Sequence, residues 1–190
     1  MKDVSLAHGK PLKLEVSVAG VPKPTLRWLK NDGILDENDV HIESKDKYHS
    51  LTMAESSVQH AGTYKAVAEN AAGMVETTAT IEIQTKPLIS KPDDIKIVSG
   101  SEFLVPITIE GIPEPKIKWM KDKMELSAAL GITMDKKEHF HLLHVKESHV
   151  KLNGNYSVTA TNPVGTDTIS FKVTVLGKSM EDDYVRKCLT

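Results

Sequence analysis

Gly20-Val21-Pro22-Lys23-Pro24-Thr25-Leu26-Arg27-Trp28-Leu29-Lys30 returns later in the chain as Gly111-Ile112-Pro113-Glu114-Pro115-Lys116-Ile117-Lys118-Trp119-Met120-Lys121. The offset, Trp28 to Trp119, is 91 residues. Farther on, Gly62-Thr63-Tyr64 returns as Gly154-Asn155-Tyr156, and Asn70-Ala71-Ala72-Gly73 as Asn162-Pro163-Val164-Gly165, now at an offset of 92. The second copy therefore holds one extra residue between its Trp and its Tyr. A period this long exceeds any solenoid unit and matches a whole domain. The 190 residues thus read as two copies of one fold, 1–85 and 86–177, followed by a tail at 178–190.

Each copy reads as β. Leu12, Leu14, Val16 and Val18 alternate with Lys13, Glu15 and Ser17, the period-two pattern of a half-buried strand. Phe103, Val105, Ile107 and Ile109 repeat it in the second copy, as do the stretches Tyr64–Ala68 and Tyr156–Ala160. Turns at Asn70–Gly73 and Asn162–Gly165 precede Thr-rich, β-branched segments, and a Gly in each turn is expected to supply positive φ. Short strands with turn signals about every ten residues argue for an all-β sandwich.

These motifs resemble those of immunoglobulin I-set domains, the kind strung in series in giant muscle proteins of the titin, twitchin, obscurin and myomesin type. The resemblance covers residues 1–176 and rests on Gly-x-Pro-x-Pro…Trp, Gly-x-Tyr and Asn-x-x-Gly, each present twice. It implies two tandem Greek-key β-sandwiches. It also implies that Trp28 and Trp119 fill the two cores, where an indole buries a large apolar area. Tyr64 and Tyr156 would form the tyrosine corner, each hydroxyl bonding back to the chain before the sixth main strand.

Two departures from the family pattern carry information. The positions at which the family's disulfide would fall are Val16 and Ala66 in the first copy, Ile107 and Val158 in the second. None is Cys, and the only cysteine, Cys188, lies beyond both copies. A native disulfide is worth about 2–5 kcal/mol, so its replacement by aliphatic residues suits a reducing, cytoplasmic setting. The second departure is at the tyrosine corners. The family's Asp two residues before Gly-x-Tyr is replaced by His60 and Leu152, which predicts looser corners. Asn155-Tyr156-Ser157 matches a glycosylation acceptor and points the other way, toward secretion. It sits where a packed tyrosine is expected, and such short matches arise by chance.

Between the copies only Thr85 and Lys86 serve as linker before Pro87, too short for a flexible coil, so a semi-rigid, elongated pair is expected. Met1 aligns with Pro92, so the counterpart of Pro87–Lys91 is missing, and the sequence is expected to be cut from a longer chain inside or just after the first strand of its first copy. In the tail, Met180, Tyr184, Cys188 and Leu189 would form one apolar side of a short helix over 180–189. A helix of that length is marginal alone, and a frayed tail is the other reading.

Chemistry is scarce. A formal charge of −2 from 24 basic and 26 acidic residues gives no field for nucleic acid or an anionic membrane. No apolar run approaches a membrane span, and Met1–Ser5 lacks a signal-peptide core. Phosphate loops, nucleophile elbows, His-Glu-x-x-His and Cys-x-x-Cys are all missing from the sequence. His139 and His141 share strand parity, but a metal site needs three or four ligands. His141 keeps step with Leu143 and Val145, and His49 with Leu51 and Met53, which reads as structural. Asp32, Asp36, Glu37 and Asp39 lack the spacing of a calcium loop. No catalytic residue, cofactor, metal or small-molecule substrate is therefore expected.

What the resemblance implies is a sarcomeric scaffold in the cytoplasm: a non-catalytic module that bears tension and binds filament or cytoskeletal proteins and neighbouring immunoglobulin domains. A regulatory segment beside a kinase, an actin-associated signalling scaffold and an adhesion ectodomain are the alternatives. The missing disulfides weigh against the last.

Overall fold

The computed structural model describes residues 1–35, 40–126 and 131–177. It divides into two compact units, Met1–Thr85 and one that begins at Lys86. The tail stripe, Cys188, and Asp36, Glu37 and Asp39 lie outside the described residues.

In the first unit the strands are β1 (Val4–Ala7), β2 (Leu12–Ser17), β3 (Thr25–Lys30), β4 (Gly33–Ile34), β5 (His41–Lys45), β6 (Tyr48–Met53), β7 (Gly62–Asn70) and β8 (Gly73–Ile89), whose residues from Lys86 on belong to the second unit. One sheet runs β1-β8-β7-β3-β4 and the other β2-β6-β5. The second unit repeats this with β9 (Ile95–Val98), β10 (Phe103–Ile112), β11 (Lys116–Lys121), β12 (Met124–Glu125), β13 (Ile132–Lys137), β14 (Phe140–Val145), β15 (Gly154–Asn162) and β16 (Gly165–Leu176). Its sheets are β9-β16-β15-β11-β12 and β13-β14-β10, and the end of β8 lies on the far side of β10. The backbone stays extended through Thr85 and Lys86.

Alternation in sequence becomes alternation in burial. In β10, Phe103, Val105, Ile107 and Ile109 are buried, and with Trp119, Leu143, Val145, Tyr156, Val158, Phe171 and Val173 they form one core. In the first unit Leu12, Leu14, Trp28, Leu51, Met53, Tyr64, Ala66 and Ile81 form the other. Burial of this kind, at about 25 cal/mol per Å² of apolar surface, is the main stabilising term. Among the described residues, the indole N–H of Trp28 is buried with no hydrogen-bond partner.

The hairpin turns meet the expectation in one copy: Gly73 stands at positive φ, 150, whereas Gly165 does not. The asparagine side chain shapes both turns: Asn70 Oδ1 accepts the Ala72 N–H at 2.9 Å, and Asn162 Oδ1 those of Val164 and Gly165 at 3.0 and 3.2 Å. The amide's other end reaches across, donating to Pro22 O at 2.7 Å and to Pro113 O at 2.9 Å. Both prolines follow cis peptide bonds.

Candidate interaction surfaces

The tyrosine corners are intact. Tyr64 Oη donates to His60 O at 3.0 Å and Tyr156 Oη to Leu152 O at 2.9 Å. Both rings are fully buried, and burial pushes the phenols up to about 12, so they stay protonated and able to donate. The acceptor is a backbone carbonyl, which any residue supplies, so the tyrosine bond forms without the family's Asp. The side chains that replace Asp serve in other ways. His60 Nδ1 accepts the Ser57 N–H at 2.9 Å, and Leu152 is buried in the core.

The glycine of Gly-x-Tyr has a second reason. Asn31 exchanges two bonds with Thr63, its N–H donating to Thr63 O at 2.8 Å while its Oδ1 accepts the Thr63 N–H at 2.9 Å. Asp122 and Asn155 form the same clasp at 2.8 and 2.9 Å. A Cβ on Gly62 would stand 2.6 Å from Asn31 Oδ1, and one on Gly154 would collide with the Asp122 carboxylate. Only glycine admits the clasp.

The two clasps differ in charge. The Lys121 ammonium and the Asn155 N–H hold the Asp122 carboxyl below the usual 3.8. A carboxyl lowered in the folded state stabilises above its unfolded pKa, and the effect fades as pH falls through the folded value. Asn31 does not titrate. Asp122→Asn should therefore flatten the acid loss of thermal stability in the second unit, compared near neutrality and at about pH 2. Equal acid sensitivity in the variant would remove Asp122 as the cause.

The positions at which the family's disulfide is expected sit in or against the cores. Ala66, Ile107 and Val158 are buried, and Val16 is half-buried against the first core. Trp28 and Trp119 are buried on β3 and β11, and Trp119 meets the edge of Phe171 with centroids 6.5 Å apart.

The histidines do not converge on a metal. Among the described residues no group of three or more His, Cys, Asp or Glu is placed to hold one. His141 is buried, and burial, then the nearby Lys136 ammonium, lower its imidazole pKa. It lines an open groove with His139, Glu114 and Lys136, and the last two form an ion pair there. His49 Nδ1 lies 2.8 Å from Ser44 Oγ, and His144 Nε2 lies 2.6 Å from Glu102 Oε1. Asp32 pairs with Lys65 at 2.9 Å. Asn155 is exposed beside the buried Tyr156. No described helix is long and apolar enough to cross a membrane.

One surface was not anticipated from the sequence. On the outer face of the β10-β14 pair, Pro106 lies opposite Leu142 and Thr108 opposite Phe140, with Leu104 opposite His144. Leu104 is 51% exposed and Phe140 62%. The same positions in the first unit hold Lys13, Glu15, Ser17, Tyr48, Ser50 and Thr52. The fold does not require an apolar row here, and only the second unit has one. The signal was present as the unbroken run Phe103-Leu104-Val105-Pro106-Ile107, in which apolar residues at both parities mask the alternation.

Comparison with known proteins agrees with this geometry. The pattern of the Immunoglobulin I-set domain matches residues 1–83 and 87–175. Titin of Drosophila melanogaster is 29% identical over 182 residues, 94% of this chain and 1% of that protein. The muscle M-line assembly protein unc-89 of Caenorhabditis elegans is 30% identical over 178 residues, 88% of this chain and 2% of that protein. The chain thus spans a very small part of these relatives. A solved structure of titin A168169 superposes with a TM-score of 0.75 at 24% identity, covering 92% of this chain and 94% of that one.

Proposed function

The chain belongs to the immunoglobulin I-set family, and from that premise we propose that it is a non-catalytic, load-bearing and protein-binding module of a sarcomeric protein. The relatives are giant muscle proteins, which supports a place in the sarcomere. The exposed apolar row on β10 and β14 supports partners that are proteins.

One observation carries the load-bearing reading. In each unit the first strand pairs in parallel with the last: Val4–Ala7 against Ile81–Gln84, and Ile95–Val98 against Val173–Leu176. Tension enters at the start of one strand and leaves at the end of the other. It therefore runs along both strands in opposite senses, and their hydrogen bonds must break together in shear.

Single-molecule stretching tests this. Successive backbone N–H groups point to opposite sides of a strand, so only one of Ser5 and Leu6 donates to β8. Of Ser5→Pro and Leu6→Pro, one should lower the unfolding force of the first unit and the other should spare it. If both leave the force unchanged, the pair bears no load. Tagged and expressed in striated muscle cells, the chain should register with sarcomeric bands. A diffuse signal would remove the sarcomeric part of the reading.

A further inference from the structure

The last strand of the second unit is held on both sides near the end where tension leaves it. On one side Val173–Leu176 runs beside Ile95–Val98 of β9, and the Ser99 N–H donates to Leu176 O at 2.8 Å. On the other side β15 begins at Gly154, opposite Val173. An antiparallel ladder bonds every second residue, so its next rung falls on Val175. Asn153 supplies that rung from its side chain. Its Oδ1 accepts the Val175 N–H, and its Nδ2 donates to Val175 O at 3.2 Å.

The amide stands on a fixed base. Asn153 closes the short 3-10 turn Val150–Leu152, its own N–H donating to Val150 O at 3.1 Å. The carbonyl of the preceding Leu152 accepts the hydroxyl of the buried Tyr156. β16 is thereby fastened to the tyrosine corner and, through it, to the core. Both amide bonds lie across the strand, as those to β9 do, so a pull along β16 loads them in shear.

The first unit has the same turn without the amide. Ala61 closes Val58–His60 with φ −63° and ψ 147°, against −55° and 137° at Asn153. Tyr64 reaches the His60 carbonyl just as Tyr156 reaches that of Leu152. The strand matches too. The His8 N–H donates to the O of Gln84, the counterpart of Leu176, at 2.8 Å. Ile83, the counterpart of Val175, therefore turns its N–H and C=O to the other side, that of Ala61. An alanine methyl offers them nothing.

We propose that Asn153 is a mechanical brace, and that the residue at this position sets how long a unit withstands tension. Asparagine fastens the end of the last strand on both edges, and alanine leaves that end to the first strand alone. The inference rests on the reading of each unit as one that carries tension, and names the residue that grades it.

Stretched at constant force by its two ends, the 190-residue chain should lengthen in one step per unit. The β1 proline variant that weakens the first unit brings its step forward and so assigns both. Asn153→Ala should speed the second unit's step about tenfold, the effect of two modest hydrogen bonds, and spare the first. Asn162→Ala is the matched control, because it removes an amide with three bonds at the other end of β16. It should destabilise the unit in urea and leave the rate under tension unchanged. Ala61→Asn should slow the first unit's step by a similar factor. Parent-like steps in Asn153→Ala, equal acceleration by Asn162→Ala, or an unchanged first unit in Ala61→Asn overturns the proposal. If neither proline variant moves a step, the reading of tension falls and the brace with it. If one does and Asn153→Ala does not, only the brace falls.

Discussion

Trp119→Ala should cost the second unit about 3–5 kcal/mol, most of the stability that a domain of this size possesses. The indole is buried on β11, where it lies opposite Val158 of β15 and against the edge of Phe171. Phe171 in turn stacks on Tyr156 at 5.6 Å, so one truncation loosens three rings. Truncation leaves a cavity that strands on both sides cannot collapse into, and the cost grows with its volume. Urea denaturation followed by Trp28 fluorescence and by near-ultraviolet dichroism separates the two units. A shift below about 1 kcal/mol would mean that Trp119 does not hold the core. In the first unit Ala79 stands where Phe171 stands, and among the described residues the Trp28 N–H has no partner. An indole that lacks this aromatic contact and has an unsatisfied donor contributes less, so Trp28→Phe should cost less than Trp119→Phe.

Restoring the family's cross-link should stabilise the second unit by a comparable amount. Ile107 on β10 and Val158 on β15 belong to facing sheets of the same core. In the double variant Ile107→Cys, Val158→Cys, an oxidised bridge would close a loop of about fifty residues, worth about 4 kcal/mol in the chain-entropy account. Part of this is offset by the volume lost on replacing isoleucine and valine. The oxidised form should unfold later than the parent, and the reduced form earlier, with the order reversed by a reductant. Failure to bridge under oxidation would place the two Cβ atoms outside disulfide geometry.

How much of this was legible follows from what repeats. The Trp, Gly-x-Tyr and Asn-x-x-Gly motifs recur as identical letters, so the fold, its duplication and the family could be read directly. Missing cysteines are equally visible. The clasp was not, because its two versions, Asn31 and Asp122, are different residues whose shared role appears only when Gly62 and Gly154 are seen beneath them. The tyrosine bonds were hidden for a related reason: they end on the carbonyls of His60 and Leu152, which the identity of the side chain does not reveal.

The asparagine that ends β7 and β15 uses both ends of its amide, an acceptor for its own turn and a donor to Pro22 or Pro113. Aspartate could serve the turn but not the tie, so slow loss of ammonia from this side chain would undo half of its work. Spontaneous deamidation proceeds by attack of the following backbone nitrogen, and the neighbours differ: Ala71 follows Asn70, whereas Pro163, which has no N–H, follows Asn162. The molecule therefore has a chemical clock in one half and a protected copy of the same joint in the other.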